Sequence, residues 1–321
     1  MSKKKLLITG SCGFIFGNFI RKVLYSCKDQ YEVVSIDRVQ DSAINSIYNN
    51  KGHTFHVADI RDQHVMNVIF QFERPDIVIH AAAETFVDTS LTDPNSFTSS
   101  NVLGTQNIIN CCTKFGVEKL VYISTDEVYG QLTSESEAAW TEDSPMNPRN
   151  PYAATKAAGE LLVKAAHHSH GLIYNITRSS NNYGPRQYCE KLVPKVIKNI
   201  VEGKKIPIYG QGLQIRDWTH VFDNCQAILN ILNNGKDNEI YNIAANQEFT
   251  NIEVIQKICN VMNKGHDLIS HIEDPRGGGH DFRYSVDSTK LKQLGWKPSY
   301  KFKDGIVDTI EWYMNNQWFL K

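Results

Sequence analysis

The first half of the chain alternates short apolar runs with longer segments in which apolar residues recur at helical spacing. Short apolar runs bounded by turn residues predict buried strands, and their alternation with helices is typical of parallel βαβ units. We therefore predict an α/β fold with a doubly wound parallel sheet of the Rossmann type. The predicted strands are Leu6 to Thr9, Glu32 to Asp37, Thr54 to Asp59, Asp76 to Ala81, Leu120 to Thr125 and Leu172 to Arg178. The predicted helices are Phe14 to Ser26, Asp62 to Phe72, Phe97 to Phe115 and Pro151 to Ser169.

After about Ser180 the pattern changes to loops rich in Asn, Gly and Pro. Residues 1–180 are assigned to the Rossmann domain and residues 181–321 mainly to a smaller C-terminal lobe. Ile240 to Ala244 predicts another strand, so that residues 220–248 return to the main sheet. The helices predicted here are Leu192 to Glu202, Phe222 to Asn233, Ile252 to Asn263 and Gly305 to Asn315.

Composition narrows the possible functions. The 321 residues include 34 basic and 35 acidic side chains, a balance that offers no long-range attraction to nucleic acid or to a membrane surface. The apolar run Leu6 to Ile8 is too short for a signal peptide or a span. Seven scattered cysteines without a Cys-x-x-Cys pair indicate a reducing, cytoplasmic compartment. The 11 histidines show no ligand spacing of a known type, so we predict no metal.

A glycine-rich loop follows the first predicted strand. Glycines between a strand and a helix let the backbone approach a pyrophosphate held at the helix N-terminus. The loop departs from the usual spacing, because Phe16 stands at the third glycine position and Gly17 follows it. We expect a locally adjusted helix start there. The loop residues predicted to bind a dinucleotide are Gly10, Cys12, Gly13, Phe14 and Ile15.

Asp37 ends the second predicted strand, where a carboxylate accepts hydrogen bonds from adenosine ribose hydroxyls. Its charge also repels a 2′-phosphate, which favours NAD over NADP. Arg38 beside it keeps the NADP alternative open, and a solvated strand end is the structural alternative for Asp37. Asp59 and Ile60, after the third strand, are expected near the adenine.

Two segments carry candidate chemistry. Tyr152 and Lys156 lie four residues apart at the start of a predicted helix and therefore share one face. An ammonium near a phenol favours the phenolate, which predicts a lowered pKa for Tyr152 and a role as a base. Thr125, Asp126 and Glu127 follow the fifth strand, where two carboxyl groups provide an acid and a base if their pKa values are separated. A surface helix turn and solvated acids are the structural alternatives.

At these residues the sequence resembles the nucleoside-diphosphate-glucose 4,6-dehydratases, which are extended short-chain dehydrogenases, nearly from end to end. Thr-Asp-Glu is the most specific part, because related epimerases and decarboxylases usually lack this pair of acids. The segments that carry the resemblance are His80 to Asp88, Asn101 to Thr105, Ser124 to Gly130, Tyr152 to Lys156, Asn181 to Pro185, Glu190 to Pro194, Gln214 to Trp218 and His280 to Tyr284.

The resemblance implies dehydration of UDP- or dTDP-glucose to the 4-keto-6-deoxy sugar, an early step of rhamnose or other deoxysugar synthesis. Tyr152, with Lys156 and Thr125, would take the proton of the sugar 4-hydroxyl while hydride passes from carbon 4 to NAD. Glu127 would remove the carbon 5 proton and Asp126 would protonate the departing 6-hydroxyl. The hydride would then return to carbon 6, so that NAD stays bound through the cycle.

The resemblance also implies binding residues. Ala81, Ala82 and Ala83 are expected at the cofactor. Residues expected at the nucleotide sugar are Glu84 and Thr85 near the glucose, Asn181 and Lys191 near sugar and phosphates, Arg216 and Arg276 at the diphosphate, Asn251 as a further contact, and Pro207 with Tyr209 at the base. A structural salt bridge is the alternative for each arginine, and a packed core position is the alternative for Tyr209. The loop Asp274 to Asp281 differs from the Arg-Pro-Gly usual before His-Asp in this family.

Three questions stay open at this level. A 4-epimerase or decarboxylase keeps the same fold and cofactor, and a non-catalytic NAD-binding regulatory or scaffold protein belongs to another class. The helices Phe97 to Phe115 and Pro151 to Ser169 are expected to pair in a homodimer, as in relatives of this fold. The Tyr-rich tail at Glu311 to Tyr313 and the lost third glycine favour UDP-glucose slightly over dTDP-glucose.

Overall fold

The computed structural model describes residues 3–39, 53–274, 276 and 280–320. Its centre is a seven-stranded sheet in the order β10-β6-β5-β4-β1-β2-β3, in which every neighbouring pair is parallel. The predicted doubly wound α/β class is thereby confirmed. The strands are β1 Lys4–Thr9, β2 Tyr31–Asp37, β3 His53–Val57, β4 Ile77–His80, β5 Lys119–Thr125, β6 Tyr174–Ser179 and β10 Glu239–Ile243.

The six early strands lie where the sequence predicts them, with ends displaced by one or two residues. The later strand also joins this sheet as expected, because β10 pairs with β6. Inner strands are buried along nearly their whole length, since helices cover both faces of the sheet. The helices of this part are Phe14–Asn18, Gln63–Glu73, Val87–Thr92, Pro94–Phe97, Gly104–Phe115, Pro151–His170, Val221–Asn234 and Thr289–Gln293.

Two predicted helices contain π-helical turns that apolar periodicity does not reveal. The first begins at Phe14 and becomes a π-helix over Phe19–Leu24. The adjustment expected at the helix start therefore lies one turn later, next to the buried side chain of Phe16. The second helix begins at Pro94, three residues before the predicted Phe97, and passes through a π-helix over Thr98–Leu103.

Apolar side chains form one core on each side of the sheet. One core holds the helices Phe14–Asn18 and Val221–Asn234, and the other holds Gln63–Glu73, Gly104–Phe115 and Pro151–His170. The helix Val221–Asn234 thus packs on the Rossmann sheet although it follows residue 180. Within the described residues, no helix is long and apolar enough to cross a membrane.

The smaller lobe has its own core, made by two short sheets and three longer helices. One sheet contains β7 Asn181–Tyr183, β9 Ile215–His220 and β11 Glu248–Thr250, and the other pairs β8 Ile206–Tyr209 with β12 Ile269–Ile272. The longer helices are Leu192–Val201, Asn251–Val261 and Phe302–Asn315. Short 3₁₀ turns occur at Asp126–Tyr129, His266–Leu268 and Gln317–Leu320.

Candidate active site

A deep cleft opens at the carboxyl ends of β1 and β4, where the strand order reverses. This is the position at which doubly wound sheets bind ligands. Its wall brings together all five predicted catalytic residues and most of the predicted cofactor residues. The lining includes Gly10, Gly13, Phe14, Ile15, Asp37, Asp59, Ile60, Ala81, Ala82, Ala83, Glu84, Thr85, Thr125, Asp126, Glu127, Tyr152, Lys156, Asn181 and Lys191.

The geometry of the glycine-rich loop fits a dinucleotide. Gly10 has φ +70°, and a Cβ placed on it would lie 2.7 Å from the backbone nitrogen of Ala82. Only glycine therefore allows this turn to lie so close to the end of β4. Gly13 precedes the helix Phe14–Asn18, and no side chain in the described part of the chain caps the first backbone N–H groups of that helix. The loop thus offers free N–H donors on the cleft wall.

Asp37 lines the end of the cleft at which the sequence predicts the adenosine. Its carboxylate accepts hydrogen bonds from the backbone N–H groups of Cys12 (2.9 Å) and Val39 (3.1 Å), and burial raises its pKa. The side chain of Cys12 is buried and does not line the cleft, so Cys12 contributes to this end of the cleft only through its backbone N–H. Arg38 contacts the Glu84 carboxylate and lies 3.9 Å from that of Asp59. Arg38, the residue for which binding of NADP was the alternative, is thus already in contact with acidic partners.

Asp126 and Glu127 are neighbours in sequence but differ in environment. Asp126 is 3 % exposed, and burial together with the Glu127 charge raises its pKa to about 8. Its Oδ2 is buried without a hydrogen-bond partner among the described residues, whereas Oδ1 accepts a hydrogen bond from Thr125 Oγ1 at 3.3 Å. Glu127 is partly exposed, and its Oε2 accepts a hydrogen bond from Asn150 Nδ2 at 2.9 Å. A carboxyl group that keeps its proton therefore lies beside a carboxylate that accepts hydrogen bonds.

Tyr152 and Lys156 lie beside these acids on the helix Pro151–His170. Burial and the charge of Glu127 raise the pKa of Tyr152, against a hydrogen bond with Thr125. The prediction of a lowered pKa for Tyr152 is therefore wrong for the protein groups alone, because burial and the charges of Glu127 and Asp126 raise it. Burial also lowers the pKa of Lys156 to about 7. The Lys156 ammonium lies 4.3 Å from the ring centroid of Tyr122, a cation–π contact.

Four of the predicted sugar-binding residues line this same cleft. The Glu84 carboxylate contacts Arg38. The backbone N–H of Glu84 donates to Oδ1 of Asn101, and its carbonyl oxygen accepts a hydrogen bond from Nδ2 of the same amide. Lys191 donates to the carbonyl oxygen of Thr85 at 3.1 Å and lies over the ring of Phe86, and burial lowers its pKa. Asn181 begins β7 at the junction of the two lobes.

The other five predicted sugar-binding residues lie in the smaller lobe, outside the cleft lining. Arg216 is buried and donates to the carbonyl oxygens of Ile215, Asp281 and Phe282. Among the described residues, no carboxylate forms an ion pair with it. Arg276 instead forms an ion pair with Asp88 at 2.6 Å, the structural alternative kept for it.

Tyr209 and Asn251 belong to neighbouring parts of the smaller lobe. Tyr209 is only partly buried, beside the Arg276 guanidinium, so the packed-core alternative does not describe it. Asn251 begins a helix and contacts Gln214, and Pro207 lies in β8. In the altered loop, residues 275 and 277–279 lie outside the described residues.

Sequence reasoning missed several residues of the cleft wall. Arg186, Gln187 and Tyr188 contribute to it from the loop after β7, and Asn150 contacts Glu127 from just before the helix Pro151–His170. A signal for Asn150 was present, because Asn followed by Pro is typical of a helix N-cap.

The fold and the site define a class: a dinucleotide-binding protein of the short-chain dehydrogenase type, with a Tyr-x-x-x-Lys pair at the cleft. Residues 7–309 match the family described as GDP-mannose 4,6 dehydratase. A dTDP-glucose 4,6-dehydratase of Streptomyces niveus is 40 % identical over 98 % of this chain and 94 % of that protein. One of Haemophilus influenzae is also 40 % identical, over 97 % of this chain and 98 % of its own. This chain therefore belongs to the family of nucleotide-sugar dehydratases that the match over residues 7–309 defines.

Solved structures of related enzymes share this fold. DesIV, a dTDP-glucose 4,6-dehydratase of Streptomyces venezuelae with NAD and TYD bound, superposes with a TM-score of 0.92 at 36 % identity, covering 99 % of this chain and 100 % of its own. A UDP-glucose 4-epimerase of Thermotoga maritima reaches a TM-score of 0.90 at 26 % identity, covering 98 % of this chain and 99 % of its own. Because the two TM-scores barely differ, the fold alone does not separate a dehydratase from an epimerase.

Proposed function

We propose that this protein is an NAD-dependent lyase that dehydrates a nucleoside-diphosphate-glucose, with UDP or dTDP as the nucleotide, to the 4-keto-6-deoxy sugar. The observation that carries the proposal is the contrast between buried Asp126 and partly exposed Glu127, side by side with Tyr152 in one cleft. Such a product would serve rhamnose or other deoxysugar synthesis. The seven free thiols suit a reducing cytoplasm.

The glycine loop, Asp37 and the Ala81 to Ala83 segment would hold NAD. When bound, oxidised NAD would supply a hydride acceptor for carbon 4, the donor that later reduces carbon 6, and the positive charge of its nicotinamide ring. Such a charge opposes the burial that raises the pKa of Tyr152. Tyr152 would then accept the proton of the 4-hydroxyl, with Thr125 as its hydrogen-bond partner.

Elimination of water requires a base at carbon 5 and an acid at the 6-hydroxyl. Glu127 is suited to the first role, because its carboxylate is held by a hydrogen-bond donor. Asp126 is suited to the second, because a carboxyl group with a pKa of about 8 still carries its proton at neutral pH. The unpartnered Oδ2 of Asp126 is available for the departing hydroxyl. An epimerase needs neither acid for its chemistry.

The decisive test incubates the purified protein with UDP-glucose and with dTDP-glucose and identifies each product by mass. We expect loss of one water from at least one of them. The double variant Asp126→Asn with Glu127→Gln should still oxidise carbon 4 and accumulate the reduced cofactor but release no dehydrated product. Dehydration by that variant at the normal rate would refute the assigned roles.

We also propose that the protein forms a homodimer through the helices Gly104–Phe115 and Pro151–His170. A surface depression between them is lined by residues of both. Leu103, directly before the first helix, and Leu161, on the second, are 59 % and 55 % exposed. Exposed leucines on adjoining helices favour burial against a second copy. Light scattering should give the mass of two chains, and of one chain after Leu161→Asp.

A further inference from the structure

Asn150 makes two hydrogen bonds that join the two halves of the catalytic apparatus. Its Oδ1 accepts the backbone N–H of Ala153 at 2.8 Å, which caps the helix Pro151–His170. Its Nδ2 donates to Oε2 of Glu127 at 2.9 Å. One side chain thus connects the helix that carries Tyr152 to the loop that carries Glu127.

The orientation of this amide follows from its partners. A backbone N–H can only donate, so the amide atom facing Ala153 is the oxygen. The NH₂ group must then face Glu127, where it meets a carboxylate. Asn150 is 7 % exposed, has an extended backbone (φ −137°, ψ 161°) and precedes Pro151, which disfavours a helical conformation at Asn150. The donor is therefore held in place before substrate arrives.

We infer that Asn150 is a positioning residue for Glu127, because its amide holds this carboxylate beside the helix that carries Tyr152, in place for removal of the carbon 5 proton. The inference rests on the proposed function. A hydrogen bond to a charged group is stronger than one between neutral groups, so its loss should slow proton removal about 10- to 100-fold. Oxidation at carbon 4 should be affected less, because Asn150 has no described hydrogen bond to Tyr152, Thr125 or Lys156.

Two variants separate this role from helix capping. Asn150→Asp keeps an oxygen that caps the helix but replaces the donor by a second negative charge facing Glu127. Asn150→Ser keeps a capping oxygen and adds no charge, but its shorter side chain has no NH₂ group to reach Oε2 of Glu127. Thr250→Ala, which removes the cap of the helix Asn251–Val261 away from the cleft, is the matched control for lost capping.

The experiment measures deuterium uptake from solvent at carbon 5, the pH dependence of kcat, KM, and Tm for the wild type and these variants. In Asn150→Asp we expect Tm and KM near the wild-type values, slower uptake, and a rise of activity with pH displaced to higher pH, because the variant puts a second negative charge where the wild type has a hydrogen-bond donor. Asn150→Ser should slow uptake with a smaller displacement. Thr250→Ala should lower Tm and leave the pH profile unchanged.

The outcomes distinguish two failures. If the wild type forms no dehydrated product, the proposed function is wrong. If it does, and Asn150→Asp retains the wild-type pH profile and uptake rate, the inference is overturned. A drop in Tm that accounts for the whole loss of activity in both Asn150 variants would also overturn it, since Asn150 would then act only as a cap.

Discussion

The two ends of the active region are built in different ways. At the cofactor end, where we propose that NAD binds, the ends of β1, β2 and β4 and the loops that follow them place backbone groups and Asp37 around one space. At the sugar end, the residues expected at the base and the diphosphate come from β8, β9 and the segment around Arg276, and they lie outside that cleft. The other expected sugar contacts, Glu84, Thr85, Asn181 and Lys191, line the cleft itself. The first end is fixed by sheet geometry, whereas the second depends on long-range packing. Substitutions at the cofactor end should therefore be the more damaging.

The largest effect is expected for Gly10→Ala, which should abolish retention of NAD and all activity. The added Cβ would lie 2.7 Å from the backbone of Ala82 in a residue with φ +70°. Gly116→Ala is the matched control, because Gly116 has the same φ but nothing within 4 Å of the added atom. Cofactor content of the purified variants, measured by absorbance after denaturation, checks this. Equal cofactor loss in both would show that backbone strain, not the close approach, is responsible.

The next effect is a loss of activity in alkaline solution. Asp126 must keep its proton to act as an acid, and its raised pKa of about 8 allows this at neutral pH. Lys156, with its pKa lowered to about 7, also loses its positive charge as pH rises. Loss of the Asp126 proton alone should lower kcat/KM by roughly tenfold per pH unit above about pH 8, and loss of the Lys156 charge, which begins near pH 7, should steepen this fall. A rate that stays constant to about pH 10 would contradict the assignment of Asp126.

The smallest effect is expected at the sugar end. Arg276→Lys should raise KM a few-fold to about tenfold with little change in kcat, because lysine lacks the paired donors that suit a diphosphate. Asp88→Asn breaks the same ion pair while leaving the guanidinium in place. If both variants raise KM equally, Arg276 serves only the ion pair. Steady-state kinetics with the nucleotide-glucose provides the comparison.

The contrast between the two ends also explains what the sequence could predict. Strand and helix periodicity located the seven strands of the main sheet, and motif spacing placed Gly10, Asp37, Tyr152 and Lys156 in one cleft. The π-turn at Phe19–Leu24 was missed because it preserves an apolar pattern. The sequence also does not reveal the burial and the charges that other segments impose on a side chain. For this reason the predicted direction of the Tyr152 pKa shift was wrong.

Residues whose partners are distant in sequence were the hardest to predict. The carbonyl oxygens of Asp281 and Phe282 accept hydrogen bonds from Arg216 across more than sixty positions of the chain, and no local pattern encodes that contact. Asn150 is an intermediate case, because its capping role is local but its contact with Glu127, 23 positions away, is not.

The central claim is that the sugar is oxidised at carbon 4, loses water across carbons 5 and 6, and is reduced at carbon 6 within one binding event. The most direct measurement follows a nucleoside-diphosphate-glucose that carries deuterium at carbon 4. The account predicts a dehydrated product with that deuterium at carbon 6. An undehydrated sugar with deuterium restored at carbon 4, or a dehydrated product without deuterium, would contradict it.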